Sequence, residues 1–151
     1  MSLPTATPPA PTTAVPATAV PRAAPTLTAD EVVVRRLLAA IVDRDEATLF
    51  ELFAPDLWFR ALLIHELVEH HHAVAAVAMF RGWFGRGIPV EVLHTATYPV
   101  ASRQYLSYRF RLRPEWAPDV WHVIEQSGYV RVRDGRVARL DLVCTGFFPE
   151  A

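Results

Sequence analysis

The chain has 151 residues, 52% of them hydrophobic, which predicts one globular domain. The formal net charge of -1 argues against a nucleic-acid partner or a basic membrane-binding surface. The single cysteine, Cys144, excludes an internal disulfide and is typical of a reducing, cytoplasmic location, and no apolar run approaches the roughly 18 residues of a membrane span.

The first 27 residues differ in composition from the rest of the chain. They contain seven of the thirteen prolines, and alanine, threonine and valine make up most of the remainder. This composition predicts a disordered, partly polyproline-II tail over residues 1–27, followed by a folded domain over 28–151. Prolines interrupt every candidate apolar core of a signal peptide, so we do not interpret the tail as one.

The folded part begins with helices and ends with strands. Thr28 and Glu31 have the spacing of a capping box, and the apolar residues that follow recur with the period of a helix. The predicted elements are a helix over 28–42, a second over 46–53, a short strand over 56–62, a buried helix over 72–84, and strands over 88–98, 103–113, 120–133 and 136–147.

Residues 65–72 (HELVEHHH) contain four of the six histidines. They do not match the zinc-protease motif H-E-x-x-H, because the position of its second histidine is Glu69. If the stretch were helical, His65, Glu69 and His72 would share one face and could hold zinc with an open coordination position. The alternative is that His70–His72 lie at the start of the buried helix, partly in solvent.

Asp134-Gly135 predicts a hairpin between the last two long strands. A two-residue turn would place Val130 opposite Arg139 and mix the two faces of the sheet. A three-residue loop over 133–135 would place Val130 opposite Ala138 and Gln126 opposite Leu142, so that apolar residues meet. We therefore expect the three-residue loop, with His122 and Gln126 facing inward. The outward residues would be Glu125, Arg131, Arg139 and Asp141.

The order of these elements resembles the NTF2-like superfamily, and more specifically its SnoaL-like branch. The residues that carry the resemblance are 44–59 (RDEATLFELFAPDLWF), 71–84 (HHAVAAVAMFRGWF) and 129–147 (YVRVRDGRVARLDLVCTGF), within a similarity that spans about 28–148. The resemblance implies an α+β fold in which a curved antiparallel sheet forms a cone around about three N-terminal helices. It also implies an apolar pocket inside the cone and a homodimer through the outer sheet face. Relatives carry a loop before the buried helix, so we expect HELVEHHH to be a loop and helix start, without a metal or cofactor.

Polar residues on inward, otherwise apolar faces are the candidate site. A buried polar group without a partner costs about 1–3 kcal/mol, so such residues must bond one another or face a ligand. His122 and His94 are the candidate general bases, because an imidazole is mostly neutral at cellular pH. The candidate substrate-binding residues are Trp58, Arg60, Tyr108, Gln126 and Cys144.

The enzymes of this superfamily use carboxylates that the sequence does not supply on the inner face. Its ketosteroid isomerases and polyketide cyclases use an aspartate base, and its limonene-epoxide hydrolases use an Asp-Arg-Asp arrangement. The expected register turns Glu125 and Asp141 outward, so none of these acids carries over. We therefore expect a protein that binds a small apolar molecule, with isomerase, cyclase or hydrolase chemistry on an inward histidine. The alternative is a non-catalytic ligand-binding protein or a dimeric protein-interaction module.

Overall fold

A computed structural model describes residues 26–150, which form three helices and a curved, open sheet of seven strands. The elements are α1 (Ala29–Asp43), α2 (Glu46–Leu52), β1 (Phe53–Leu62), β2 (Leu67–His70), α3 (Ala73–Phe84), β3 (Val90–Val100), β4 (Arg103–Leu112), β5 (His122–Arg133), β6 (Arg136–Cys144) and β7 (Phe148–Pro149). The α+β cone is therefore confirmed. The predicted tail over 1–27 lies almost wholly outside the described residues. No helix in the described part is long and apolar enough to cross a membrane.

The predicted capping box starts α1. The backbone N–H of Glu31 donates to the Thr28 hydroxyl, and the Thr28 N–H donates to the Glu31 carboxylate at 2.7 Å, an interaction that lowers the pKa of Glu31. The helix ends at Asp43 and is followed by the C-cap residue Arg44, which has a left-handed backbone (φ 56°). The Arg44 guanidinium donates to the Ile88 carbonyl at 2.6 Å, so a hydrogen bond joins the C-terminal end of α1 to the segment just before β3.

The sheet has the strand order β2-β1-β6-β5-β4-β3, with β7 paired to β5. All its pairs are antiparallel except β1–β6, which is parallel. The sheet is therefore mixed, where the resemblance implied a wholly antiparallel one. The parallel pair arises because the chain leaves β1, runs through the β3–β4–β5 meander, and returns beside β1 in the same direction.

The helices fill the inner, concave side of the sheet with aromatic side chains. Phe84 at the end of α3 lies edge-on to Phe110 at 5.1 Å between ring centroids and to Tyr108 at 6.0 Å. Phe59 on β1 packs against Phe80 of α3. These rings are buried, so the deep part of the cone is a packed core.

The β5–β6 hairpin has a two-residue turn, where a three-residue loop was expected. Asp134 and Gly135 both have positive φ (52° and 72°), as a tight turn between twisted strands requires. A bulge at Ala138 then adds one residue to β6, and Gln126 pairs with Cys144 where Leu142 was expected. The predicted register is wrong by two residues. An even shift keeps every side chain on its face, so His122 and Gln126 do face inward.

The HELVEHHH stretch contains a strand. Leu67–His70 forms β2, which pairs with β1 so that His70 lies opposite Phe59. His71 and His72 form the turn before α3, and both are exposed. The helical face that would align His65, Glu69 and His72 does not exist, so the helical zinc hypothesis is wrong. The expected loop is also shorter than predicted, because four of its residues extend the sheet. Within residues 26–150, no three potential metal ligands come together.

Candidate functional site

Three of the predicted site residues form a polar chain across the inner face. Tyr108 on β4 pairs with Gln126 on β5, and Gln126 pairs with Cys144 on β6. The Tyr108 hydroxyl donates to Gln126 Oε1, and Gln126 Nε2 donates to Cys144 Sγ at 3.3 Å. Burial raises the pKa of the Tyr108 phenol well above its ordinary value, so this hydroxyl stays protonated and remains a donor.

The polar chain ends at a groove that we call the mouth groove, which has a volume of about 330 Å³. Cys144 lies at its base, where Sγ also accepts the Gly146 N–H at 3.4 Å. Gly146 has a φ of +83°, and a Cβ built there would lie 1.9 Å from Ile64 Cδ1. Only glycine lets Ile64 pack so closely. The apolar walls are Leu63, Ile64, Trp83, Trp116 and Phe147.

His122 is buried on the inner face, apart from the polar chain. It lies four residues before Gln126 on the same strand, roughly 14 Å away at about 3.4 Å per residue. Its Nδ1 lies 3.0 Å from the Val120 carbonyl oxygen. Because a carbonyl can only accept, Nδ1 carries the proton and Nε2 of the neutral ring is an acceptor. The Trp116 ring covers this imidazole edge-on, at 4.8 Å between centroids.

His94 lies on the outer face, although the alternation of its strand predicts an inward position. A bulge between Val92 and His94 shifts the register by one residue. Val92 therefore lies opposite Phe110 on the inner face, whereas His94 lies opposite the outward residue Arg109 and is exposed. The prediction of two inward histidines on neighbouring strands is wrong.

Trp58 and Arg60 also lie on the outer face, because Phe59 and its alternate neighbours occupy the inner one. The Arg139 guanidinium lies 4.2 Å from the centre of the Trp58 ring and makes two hydrogen bonds to Asp141, at 2.7 and 3.1 Å. Arg60 Nε lies 3.6 Å from the Asp141 carboxylate. The predicted placement of Trp58 and Arg60 inside the cone is wrong.

The aromatic walls of the mouth groove were not among the predicted site residues. Trp116 lies in the loop between β4 and β5, where no alternation assigns a face to a side chain. Trp83 lies in a helix that is apolar nearly all round, so its sequence gives no reason to separate it from the core. Trp83, near the end of α3, and Trp116, in a loop, line the same groove only because the fold brings these distant parts of the chain together.

No protein-family model and no curated protein matches the sequence. Solved structures resemble the chain. An NTF2-like protein from Burkholderia xenovorans superposes with a TM-score of 0.61 at 13% identity, over 77% of this chain and 88% of that one. An LEH-like epoxide hydrolase of M. tuberculosis gives 0.56 at 15% identity, over 77% and 82%. A Pseudomonas putida protein whose name suggests a polyketide cyclase gives 0.60 at 17% identity, over 78% and 91%. The chain thus has the NTF2-like fold.

Proposed function

We propose that the protein binds a small, mainly apolar molecule in the mouth groove, with the polar end of the ligand directed at Cys144. The observation that carries this proposal is the concentration of large apolar side chains around one concave site. Ile64 is 56% exposed and Trp116 is 66% exposed. Exposed apolar surface of this kind, gathered around a few polar groups, is typical of ligand sites.

The size of the site limits the ligand. The mouth groove, at about 330 Å³, lies at the low end of the roughly 300–1,000 Å³ of small-molecule pockets. Behind it the cone is filled by Phe84, Tyr108 and Phe110. The ligand is therefore held at the mouth, against the tryptophans, and does not enter the core.

Ile64→Arg is expected to weaken binding of the neutral apolar probe N-phenyl-1-naphthylamine by about tenfold, or ~1.4 kcal/mol. The substitution places a guanidinium against the apolar walls, where ligand binding would remove its water. Fluorescence titration of the probe measures the affinity. The matched control is Val74→Arg, since Val74 is an exposed apolar residue on α3 that does not line the groove. If Ile64→Arg and Val74→Arg bind the probe with the same affinity, whether or not it is weaker than that of wild type, the mouth groove is not the binding site.

The second candidate function is an enzyme in which His122 is a general base. The hydrogen bond from Nδ1 to Val120 favours this role, because it leaves Nε2 as the proton-accepting nitrogen. Trp116 lines the mouth groove and packs against the His122 imidazole, whereas His122 itself does not line the groove.

The enzyme hypothesis is tested with carbonyl compounds that bind the wild-type protein. Incubated with protein in D₂O, a substrate should gain deuterium beside its carbonyl, as detected by mass spectrometry. His122→Asn is expected to bind the same compounds within about twofold and to lower the exchange rate at least about a hundredfold, since an amide is no base. Equal exchange in both proteins would eliminate His122 as the base and leave the binding function standing.

A further inference from the structure

We propose that the outer face of the sheet carries a second site, which binds a carboxylate attached to an apolar or aromatic body. A groove of about 550 Å³, here called the outer groove, crosses β1, β6, β5 and β4 on that face. Its cationic groups are Arg60, Arg103 and Arg139, its aromatic wall is Tyr105 and Tyr129, and its apolar end includes Val143. This site is on the opposite side of the sheet from Tyr108, Gln126 and Cys144.

The outer groove has more cationic than anionic groups. Its one carboxylate, Asp141, is already bound by both hydrogen bonds from Arg139. Arg60 Nε is buried and has no hydrogen-bond partner, and Arg103 makes no ion pair with any residue from 26 to 150. Arg103 therefore has no anionic partner among these residues, and Arg60 has only the 3.6 Å contact with a carboxylate that Arg139 already binds. A guanidinium matches a carboxylate with two parallel hydrogen bonds, which makes a carboxylate the complementary ligand group.

A cross-strand pair of like charges adds to this imbalance. Arg131 on β5 lies directly opposite Arg139 on β6, on the outer face. Like charges at directly opposed positions of a sheet are destabilising. Arg139 is already paired with Asp141, so Arg131 carries the uncompensated charge of this pair, and an anion bound beside it on the same face would reduce the repulsion.

The remaining walls determine the body of the ligand. Tyr98 stacks on Tyr105 at 4.6 Å between centroids, and Tyr105 lies edge-on to Tyr129 at 5.8 Å, so three rings form a continuous wall. Leu62 and Val143 are adjacent on β1 and β6, and each is about half exposed. Apolar and aromatic walls beside guanidiniums fit an amphipathic acid better than a bare inorganic anion.

The same face is where the resemblance implied a homodimer. A two-fold contact places this arginine-rich patch against a second copy of the same patch. That arrangement repeats the charge imbalance, whereas a bound carboxylate reduces it. The charges thus favour the small acid as the occupant of the outer groove.

Isothermal titration calorimetry of the full chain with naphthalene-2-carboxylate tests the proposal. Both compounds are mainly apolar and can also bind the mouth groove, so we expect the carboxylate to occupy a second site on each chain, where the neutral naphthalene-2-carboxamide binds at least about tenfold more weakly. Arg60→Gln and Arg103→Gln should each weaken the carboxylate at least about tenfold. Arg136→Gln, which removes the same charge outside the groove, and Ile64→Arg in the mouth groove should each change affinity less than about twofold. Circular dichroism checks that all variants are folded.

Several outcomes would overturn the proposal. Equal affinity for the acid and the amide would show that no guanidinium takes part. Unchanged affinity in both groove variants, or a loss confined to Ile64→Arg, would place the acid elsewhere, in the latter case at the mouth groove. Absence of binding together with a dimer in sedimentation velocity would assign the outer face to a second copy of the chain.

Discussion

Gly128→Ala is expected to destabilise the protein by about 4 kcal/mol, the largest effect of any single methyl addition that we predict. Gly128 on β5 pairs with Leu142 on β6. A Cβ built at Gly128 would lie 1.9 Å from the Asp141 carbonyl oxygen and 2.9 Å from the carbonyl carbon. These are backbone atoms of the neighbouring strand, so they can move only by breaking the β5–β6 ladder.

The control substitution, Gly82→Ala, is expected to raise the stability of the protein. Gly82 lies inside α3, and a Cβ there meets nothing within 4 Å. Because glycine is unfavourable within a helix, Gly82→Ala should stabilise the protein by about 0.5–1 kcal/mol. Urea unfolding followed by circular dichroism compares the two variants. If Gly128→Ala unfolds within about 1 kcal/mol of wild type, the close approach of β5 to β6 described above is wrong.

The inner face of β5 and β6 was predictable from sequence, although the pairing was not. Burial of Gln126 and Leu142 on one side constrains parity, that is, which side chains share a face. The Asp134-Gly135 turn alone would reverse that parity, and the bulge at Ala138 restores it. The two-residue turn is therefore compatible with the burial pattern only because of the bulge at Ala138, and no local sequence pattern predicts that bulge. A register error of two residues leaves the predicted face of each side chain correct, whereas the predicted cross-strand partner of each residue is wrong.

His94 shows where the same reasoning fails. β3 is an edge strand with one neighbour, β4, so a bulge there disturbs only one ladder. The apolar alternation of Val90, Val92 and Ala96 continues through the bulge in sequence but not in space. A single extra residue moves His94 from the predicted inner face to the outer face. The parallel β1–β6 pair is likewise a long-range property, and with it Trp58 and Arg60 join Arg139 and Asp141 on the outer face.

Tyr108→Phe is expected to destabilise the protein by about 1–3 kcal/mol, because it leaves the buried Gln126 Oε1 without its donor. Tyr105→Phe is the matched control, since Tyr105 lies on the outer face and is only partly buried; it should cost less than about 0.5 kcal/mol. Chemical unfolding measures both. A cost below about 0.5 kcal/mol for Tyr108→Phe would mean that water or another donor replaces the lost hydroxyl.

The double variant Tyr108→Phe/Gln126→Leu tests whether the polar chain only stabilises the core or also orients a bound ligand. Replacing both partners by apolar groups removes the unsatisfied amide, so the double variant should recover most of the stability lost in Tyr108→Phe. Cys144 then loses only a weak interaction, because a thiol sulfur is a weak acceptor. If the polar chain only completes the core, N-phenyl-1-naphthylamine should bind the double variant as it binds wild type. If the chain orients the polar end of a ligand at Cys144, ligands that carry a carbonyl should weaken in the double variant while this apolar probe does not.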